Sequence, residues 1–437
     1  MKYYFLLKKE IKDLFFSKAS LLFGLILSYL TGYSFYSAVI LYSQASKSAI
    51  NNPLYASGFE PVAGIFRPSM GGIFILLSLM LPFLIIPQIS NEKENNTIIF
   101  LLQIPFKLKE IFLIKFTAAL IYLVLIFSFI LPSLFLWLNF SGKLPLYEFL
   151  ILITGYFLYG IWVISISFLS ASIFKNSSSA SIFSLFLITL SWFMDFGNDM
   201  NIAPFIVKIS KYSVTATLET FENGIFSLSA LIYFFILISL SLYLSFVFLK
   251  IKPKFNDLIF AVLILTTGTI FLNAFKYNKD LTQSHRNSFP ENINASIRKL
   301  PPLKIKIFLR KTDSRYKDYE ESFLNKLKLI KNDVEIVFAN EKELQKNYGI
   351  FEYEINNKVK KTYSNSEEEI FPIIFKLSGI TPDKENHFDT FKGYPLIVKE
   401  DKINLIKTVY YIIIPLVLII IALKKSRMFL FFSKKEA

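Results

Sequence analysis

The sequence predicts a polytopic α-helical membrane protein of about eight transmembrane helices, with a small α/β extracytoplasmic domain inserted near the C-terminal end. Three observations carry that expectation. Of 437 residues, 53% are hydrophobic and only 19% are charged, where a soluble domain devotes about a quarter of its residues to charge. Eight apolar runs approach the roughly 20 helical residues that cross a hydrocarbon core of about 30 Å. Between the last two runs the composition inverts, with 25 Lys and Arg and 20 Asp and Glu in the 132 residues from 276 to 407.

The runs cover 20–43, 69–90, 116–140, 149–174, 179–194, 228–249, 258–275 and 408–423. The first is too long for a cleaved leader, lacks a small-x-small exit and is followed by further runs. Ahead of it, residues 1–19 mix Phe5, Leu6, Leu7, Ile11, Leu14 and Phe15 with Lys8, Lys9, Glu10, Lys12 and Asp13, the pattern of a helix lying in the membrane interface. The chain therefore divides into an interfacial helix (1–19), six spans (20–250), a seventh (251–275), the outward domain (276–407), an eighth span (408–423) and a basic tail (424–437).

Alternate short loops hold 18 and 5 basic residues. The positive-inside rule then puts both termini in the cytoplasm and residues 276–407 outside, since long domains translocate regardless of their charge. The formal net charge of +15 is thereby an orientation signal and not a nucleic-acid footprint. No ionisable residue lies inside the eight runs as bounded, which argues against proton relays and ion pumps. Asp195 and Asp199 lie at the outer end of the fifth run, where helix-end residues in water are expected ahead of the alternative, a transport site. Pro82, Pro87, Pro132 and Pro415 are expected to kink or end helices, and Gly155 and Gly160 with Ser165, Ser167, Ser170 and Ala171 are candidates for a close-packing face, as an ordinary helix contact or a moving interface.

Catalytic chemistry is largely excluded. There is no cysteine, and His285 and His387 stand too far apart for a metal motif. No G-x-x-x-x-G-K-[ST] phosphate loop occurs, so ATP hydrolysis is not expected of this chain; Ser141-Gly142-Lys143 lacks the upstream glycine. No G-x-S-x-G elbow or H-E-x-x-H helix occurs either. We expect no catalytic residue, no cofactor and no metal.

The connector after the second run, ISNEKENNTIIFLLQIPFKLKEIFLIKF from residue 89, is the most informative stretch. A charged cluster at Glu92, Lys93 and Glu94 precedes Asn95 and Asn96; Thr97 is placed to cap a short helix through Leu102, and Pro105 ends it. A short amphipathic helix between two spans suits docking into a groove of a cytoplasmic partner.

This stretch resembles the connector of type-2 ABC exporter permeases, of the gliding-motility type, which reads roughly E-K/R-x-x-G-T-x-E-x-L-L-x-x-P before a lysine on the next span. Glu92, Lys93, Thr97, Leu101, Leu102, Pro105 and Lys115 fit it. Asn96 stands where the family has glycine, and Ile99 where it has a second glutamate. Phe221, Glu222, Gly224 and Ile225 fit the family's outer hairpin before the sixth span. The resemblance implies a permease subunit whose connector residues Glu92, Lys93, Asn96, Thr97, Leu101, Leu102 and Pro105 meet a separate cytoplasmic ABC ATPase that binds the ATP. A second permease copy, identical or paired, would complete the path for a lipid, polymer or other amphipathic substrate in a bacterial cytoplasmic membrane. The alternative is an envelope-anchored structural or signalling complex whose outer domain binds an extracytoplasmic protein. A membrane enzyme ranks third, with Asp195 and Asp199 its nearest approach to an acid/base pair.

In the outward region, Lys304 to Phe308 alternates as a strand after Pro301-Pro302. Asp313 or Ser314 caps a helix whose Tyr316, Tyr319, Phe323, Leu327 and Ile330 recur at helical spacing. Val334 to Phe338 is a second strand, completing a right-handed βαβ unit. Phe351–Ile355 and Lys358–Tyr363 flank Asn356-Asn357 as a hairpin, and Ser366 with Glu369 opens a last helix as a capping box. The region resembles, at reduced length, the extracytoplasmic module of the auxiliary subunit that accompanies gliding-motility-type permeases.

Overall fold

The computed structural model describes residues 2–51, 56–95, 107–199, 210, 212–250, 255–275, 277–311, 313–331, 333–381 and 391–433. The chain divides into two compact units, one of Met1–Asp195, Lys211–Tyr277 and Lys392–Ala437, the other of Phe196–Ser210 and Asn278–Phe391.

The first unit is helical: α1 (Lys2–Phe15), α2 (Lys18–Asn51), α3 (Arg67–Leu79), α4 (Leu81–Ile85), α5 (Pro87–Glu94), α6 (Leu108–Ser128), α7 (Leu131–Asn139), α8 (Leu146–Ile173), α9 (Ser177–Asp199), α10 (Val214–Glu222), α11 (Leu228–Leu249) and α12 (Phe255–Ala274). Seven helical stretches of the chain, among the described residues, are long and apolar enough to cross a membrane. They are Lys18–Ala49, Val62–Leu79, Leu108–Asn139, Leu146–Ile173, Ser177–Asp195, Leu228–Leu249 and Glu400–Lys424. The run at 258–275 forms α12, but its described apolar stretch, Ile259–Leu272, is shorter than a span.

At the second and third runs the boundaries differ from the sequence reading for a backbone reason. Pro82 and Pro87 sit in the first turns of α4 and α5, where a missing N–H costs nothing. The second run is consequently three short helices, and its long element begins earlier, at Val62. The third helix begins at Leu108 because Glu110 accepts the Lys107 amide at 2.9 Å, closing its first turn. That brings Lys115, outside the run as bounded, into the helix as a buried residue.

Between α1 and α2, Ser17 serves both helices. Its hydroxyl donates to the Leu14 carbonyl at 3.2 Å and accepts the Ser20 amide at 3.0 Å, ending one helix while capping the next. Within α8, Ser167 and Ser170 each donate to the carbonyl four residues back, and Ser165 to the one three back. This face packs closely: a Cβ on Gly155 would meet Phe221 at 2.4 Å, and one on Gly160 would meet Leu123 at 2.6 Å.

The second unit contains α13 (Glu291–Arg298), β1 (Leu303–Ile307), α14 (Ser314–Tyr319), α15 (Asn325–Ile330), β2 (Val334–Phe338), α16 (Glu341–Asn347), β3 (Phe351–Ile355), β4 (Lys358–Thr362) and α17 (Glu367–Ser378). The four strands lie in the order β2-β1-β3-β4, with β1 parallel to β2 and antiparallel to β3. The expected βαβ unit and hairpin are both present. Asn356 and Asn357 adopt φ of 49° and 61°, the left-handed pair that a two-residue hairpin turn needs. Asp313 caps α14 by accepting the Arg315 amide at 3.0 Å. At the last helix the expected capping box is not made: the Ser366 hydroxyl pairs with Ser364 at 3.1 Å instead. One face of the sheet carries Leu303, Ile305, Ile307, Phe351, Tyr353 and Ile355 into a core with Tyr319, Phe323, Leu327 and Ile374. Helices α13 and α16 are additions that the sequence reading does not contain.

The expected outward domain runs to residue 407, but from Lys392 the chain belongs to the first unit. An extended strap there is held by α2: Tyr42 donates to the Tyr394 carbonyl at 2.7 Å, and Ser46 and Ser43 accept the Leu396 and Val398 amides, both at 2.9 Å. The strap leads into α18 (Glu400–Lys407) and α19 (Ile414–Ser433), joined by a wider turn over Thr408–Ile413. Pro415 follows that turn and withholds the amide that a regular helix would use there.

The last helix is keyed to the first span by Tyr410. Its hydroxyl lies 2.6 Å from the Ser133 hydroxyl and donates to the Phe129 carbonyl at 2.8 Å, while Ser28 donates to its own carbonyl at 2.5 Å. Gly32 makes room, since a Cβ there would stand 2.4 Å from the Tyr410 Cβ. Gly32→Val is expected to destabilise by about 1–3 kcal/mol through overpacking, and Tyr410→Phe by about 1 kcal/mol through lost hydrogen bonds. Thermal unfolding of the purified chain in detergent checks both; a Gly32→Val midpoint equal to the wild type would show that α2 and Tyr410 do not meet so closely.

Candidate functional site

The charged cluster that opens the second connector lies in the last turn of α5, and each of its three side chains holds a different helix. Glu92 accepts from Lys115 of α6 at 2.7 Å. Lys93 donates to the carbonyls of Ala171, Ser172 and Phe174 at 2.9, 2.7 and 2.8 Å. These are the free carbonyls at the C-terminal end of α8, where the helix dipole favours a cation. Glu94 accepts the Ser177 amide at 2.9 Å, in the first turn of α9, where the dipole favours an anion.

Lys115 is the centre of the arrangement. Its ammonium reaches Glu10 of α1 at 3.0 Å, Glu92 at 2.7 Å and the Gln88 carbonyl at 3.0 Å, which uses all three of its donors. The side chains of Lys115 and Glu10 are only 5% and 7% exposed. Removing either from water costs several kcal/mol, which only near-complete pairing offsets. A second tie fixes the far end of α1, where Tyr3 donates to Glu110 at 2.5 Å. Burial raises the Glu92 carboxyl above its ordinary 4.5, against the lowering effect of Lys115. Burial also lowers the Lys93 ammonium, helped by nearby Lys175.

Of the residues expected at the connector, Glu92 and Lys93 are thus in place and engaged with their own chain. Asn96, Thr97, Leu101, Leu102 and Pro105 lie outside the described residues. The sequence reading did not pair Glu10 with Lys115, yet a signal exists: Glu10 falls on the apolar stripe of α1, with Leu7 and Leu14 one helical turn to either side. Glu94 was read only as part of a charge cluster.

A second polar cluster ties the hairpin before α11 to α3 and α8. Arg67 donates to Glu222 at 3.2 Å and to Asn223 at 2.8 Å, and Tyr156 donates to Glu222 at 2.5 Å. Phe221 and Glu222, expected on a hairpin motif, end α10 here. Asp195 accepts from Ser213 at 2.6 Å, the residue that caps α10 by accepting the Ala216 amide at 2.9 Å. Asp195 therefore positions a helix start. His285 lies in a turn with φ of 52°, and His387 is outside the described residues. Among the described residues, no group of three or more His, Cys, Asp and Glu is placed to hold a metal ion.

Compared with family models, with curated proteins and with solved structures, the chain matches none.

Lys115→Met removes the ammonium that Glu10 and Glu92 share, leaving the buried Glu10 only Lys9 at 3.7 Å, and the expected loss is about 3–5 kcal/mol. The triple variant Glu10→Gln, Glu92→Gln, Lys115→Met should recover much of it, and unfolding midpoints in detergent measure the difference. Glu92 also sets a pH dependence. A carboxyl raised in the folded state binds more protons folded than unfolded, so its contribution to stability falls as pH climbs from 4.5 toward the raised value. Glu92→Gln should remove that part of the slope, read from unfolding midpoints taken across acidic to neutral pH.

Proposed function

We propose that the chain is the membrane-spanning permease subunit of an ABC-2 type exporter, coupling ATP hydrolysis by a separate cytoplasmic ATPase to movement of a lipid, polymer or other amphipathic substrate. The observation that carries this reading is the convergence of five helices on Glu92, Lys93, Glu94 and Lys115 at the start of the connector. A displacement of α5 is felt at once by α6, α8 and α9, each tied to it by a charge-assisted bond, and by α1 through Lys115 of α6. Rigid helices joined in this way move as bodies against one another.

In this proposal both termini and the second connector face the cytoplasm and the second unit faces outward. The ATPase meets the segment from Asn96 to Pro105, with Leu101 and Leu102 filling its groove and Thr97 and Pro105 setting the segment's ends. Glu92 and Lys93 act on the docking by fixing the direction in which that segment leaves α5. A second permease copy encloses the path. The chain contributes no catalytic group, and ATP is held by the partner.

A second reading is an envelope-anchored structural or signalling complex in which the ATPase gates an outer contact. It is favoured by the polar face of the inserted sheet, where Lys304, Lys306, Glu335, Glu352 and Glu354 alternate with the core residues.

Charge reversal in Glu92→Lys with Lys93→Glu should abolish co-purification of a co-expressed cytoplasmic ATPase partner and ATP-driven transport in vesicles. Retention of both would end the proposal. ATP hydrolysis stimulated by an outer protein, with no solute moving, would favour the second reading.

A further inference from the structure

The open face of α2 carries polar groups at the middle of a span. Leu22, Tyr29, Tyr33 and Gln44 recur on one stripe of that helix and are all exposed, Tyr29 and Tyr33 at 57% and 62%. Tyr33 stands midway along the apolar stretch Lys18–Ala49, with Tyr29 and Tyr36 one helical turn to either side. Tyr411, from the wider turn at Thr408–Ile413, joins them. Its ring stacks on that of Tyr29 with centroids 4.5 Å apart, and the Lys407 ammonium lies 4.7 Å from the centre of the Tyr36 ring. Among the described residues, none of these four phenols has a hydrogen-bond partner.

Such a face is costly against lipid tails. Tyrosine belongs at the membrane interfaces, where its hydroxyl reaches water, but a phenol midway along a span has no water to reach. A serine or threonine in that position can bond to the carbonyl one turn back on its own helix, as Thr189 does to Leu185 at 2.8 Å. The phenol, held away from its backbone by a rigid ring, must find its partner on another element. Helix α9 shows what lipid alone requires: the exposed residues around the middle of its stretch Ser177–Asp195 are Ile182, Phe186, Leu190 and Phe193.

We propose that this face of α2, completed by Tyr411, is the contact between two copies of the chain related by a two-fold axis along the membrane normal. Such an axis sets the residues of α2 against their own counterparts at equal depth. A phenol both donates and accepts, so a face of tyrosines is complementary to itself, where a face of like charges would repel its copy. The second copy gives the phenols partners and the rings a packing surface, the two terms that hold membrane helices together. The inference deepens the permease reading, which calls for a second copy without assigning the surface it meets. Its test reads association alone, with no ATPase and no substrate present, so failure of the transport proposal leaves it standing and its own failure leaves transport untouched.

The chain has no cysteine, so single cysteines introduced into it report the contact directly. In liposomes holding the purified full-length chain, Tyr33→Cys should cross-link into a dimer on mild oxidation. Phe186→Cys, at the midpoint of Ser177–Asp195 and 57% exposed, should not. The triple variant Tyr29→Phe, Tyr33→Phe, Tyr36→Phe keeps the rings and removes no hydrogen bond among the described residues, so its unfolding midpoint in detergent should match the wild type. Its dimer in liposomes, counted by single-molecule photobleaching, should dissociate about tenfold more readily, the scale of two or three hydrogen bonds between membrane helices. A wild-type chain that stays monomeric at every protein-to-lipid ratio, cross-linking through Phe186→Cys in place of Tyr33→Cys, or equal dissociation of the triple variant and the wild type would overturn the proposal. A monomer that retains a glycan or lipid on this face would overturn it equally.

Discussion

The helical unit depends on one buried ammonium. Lys115 sits on the apolar α6, against α1 and α5, with its side chain 5% exposed, and a cation so placed is tolerable only where anions and carbonyls surround it. Glu10 and Glu92 supply the anions from two other helices, so α1, α5 and α6 must come together at one register for Lys115 to be satisfied. Apolar packing between spans has no such exactness, since lipid tails solvate a leucine as well as another helix does. The ion cluster selects the arrangement, and the apolar contacts then fill it.

The same logic runs outward from the cluster along α5. Lys93 and Glu94 each satisfy backbone groups that a helix end leaves unpaired, the carbonyls of α8 and the first amides of α9. Two adjacent residues of opposite charge thereby close a break between two spans, and the sign of each matches the dipole of the end it meets. At the opposite ends of α3 and α8, Arg67, Tyr156 and Glu222 make a comparable knot. Helix α8 is thus held by polar groups at its C-terminal end and again at Tyr156, while small residues such as Gly155 and Gly160 let its neighbours approach closely.

Much of this was legible in the order of residues. The N-terminal helix, the positions of most long apolar helices, and the β1-α14-β2 unit with its Asn356-Asn357 hairpin follow from local periodicity and turn chemistry, which need only neighbours in sequence. The boundaries that moved did so for equally local reasons: prolines restarted a helix at α4 and α5, and Glu110 closed the first turn of α6. The partners of the candidate site were less accessible. Glu92 and Lys93 stood out as a charge cluster, but Glu10 lies 105 residues from Lys115, and only a charge on an apolar stripe hinted that it was destined for burial. The return of residues 392–399 to α2 had no local signal at all, because a backbone strap held by Ser43 and Ser46 can be built from almost any sequence.

What the sequence alone determined is therefore the character of each segment: apolar runs long enough to cross a membrane, an amphipathic first helix, and a charged α/β region, each a sum over neighbouring side chains. The tertiary structure decided which distant charges share a site. Transfer free energies are additive along a chain, whereas the cost of a buried charge is settled only by what stands within about 3 Å of it. Lys115, one more basic residue in the count of a loop, became in the folded chain the group on which three helices converge.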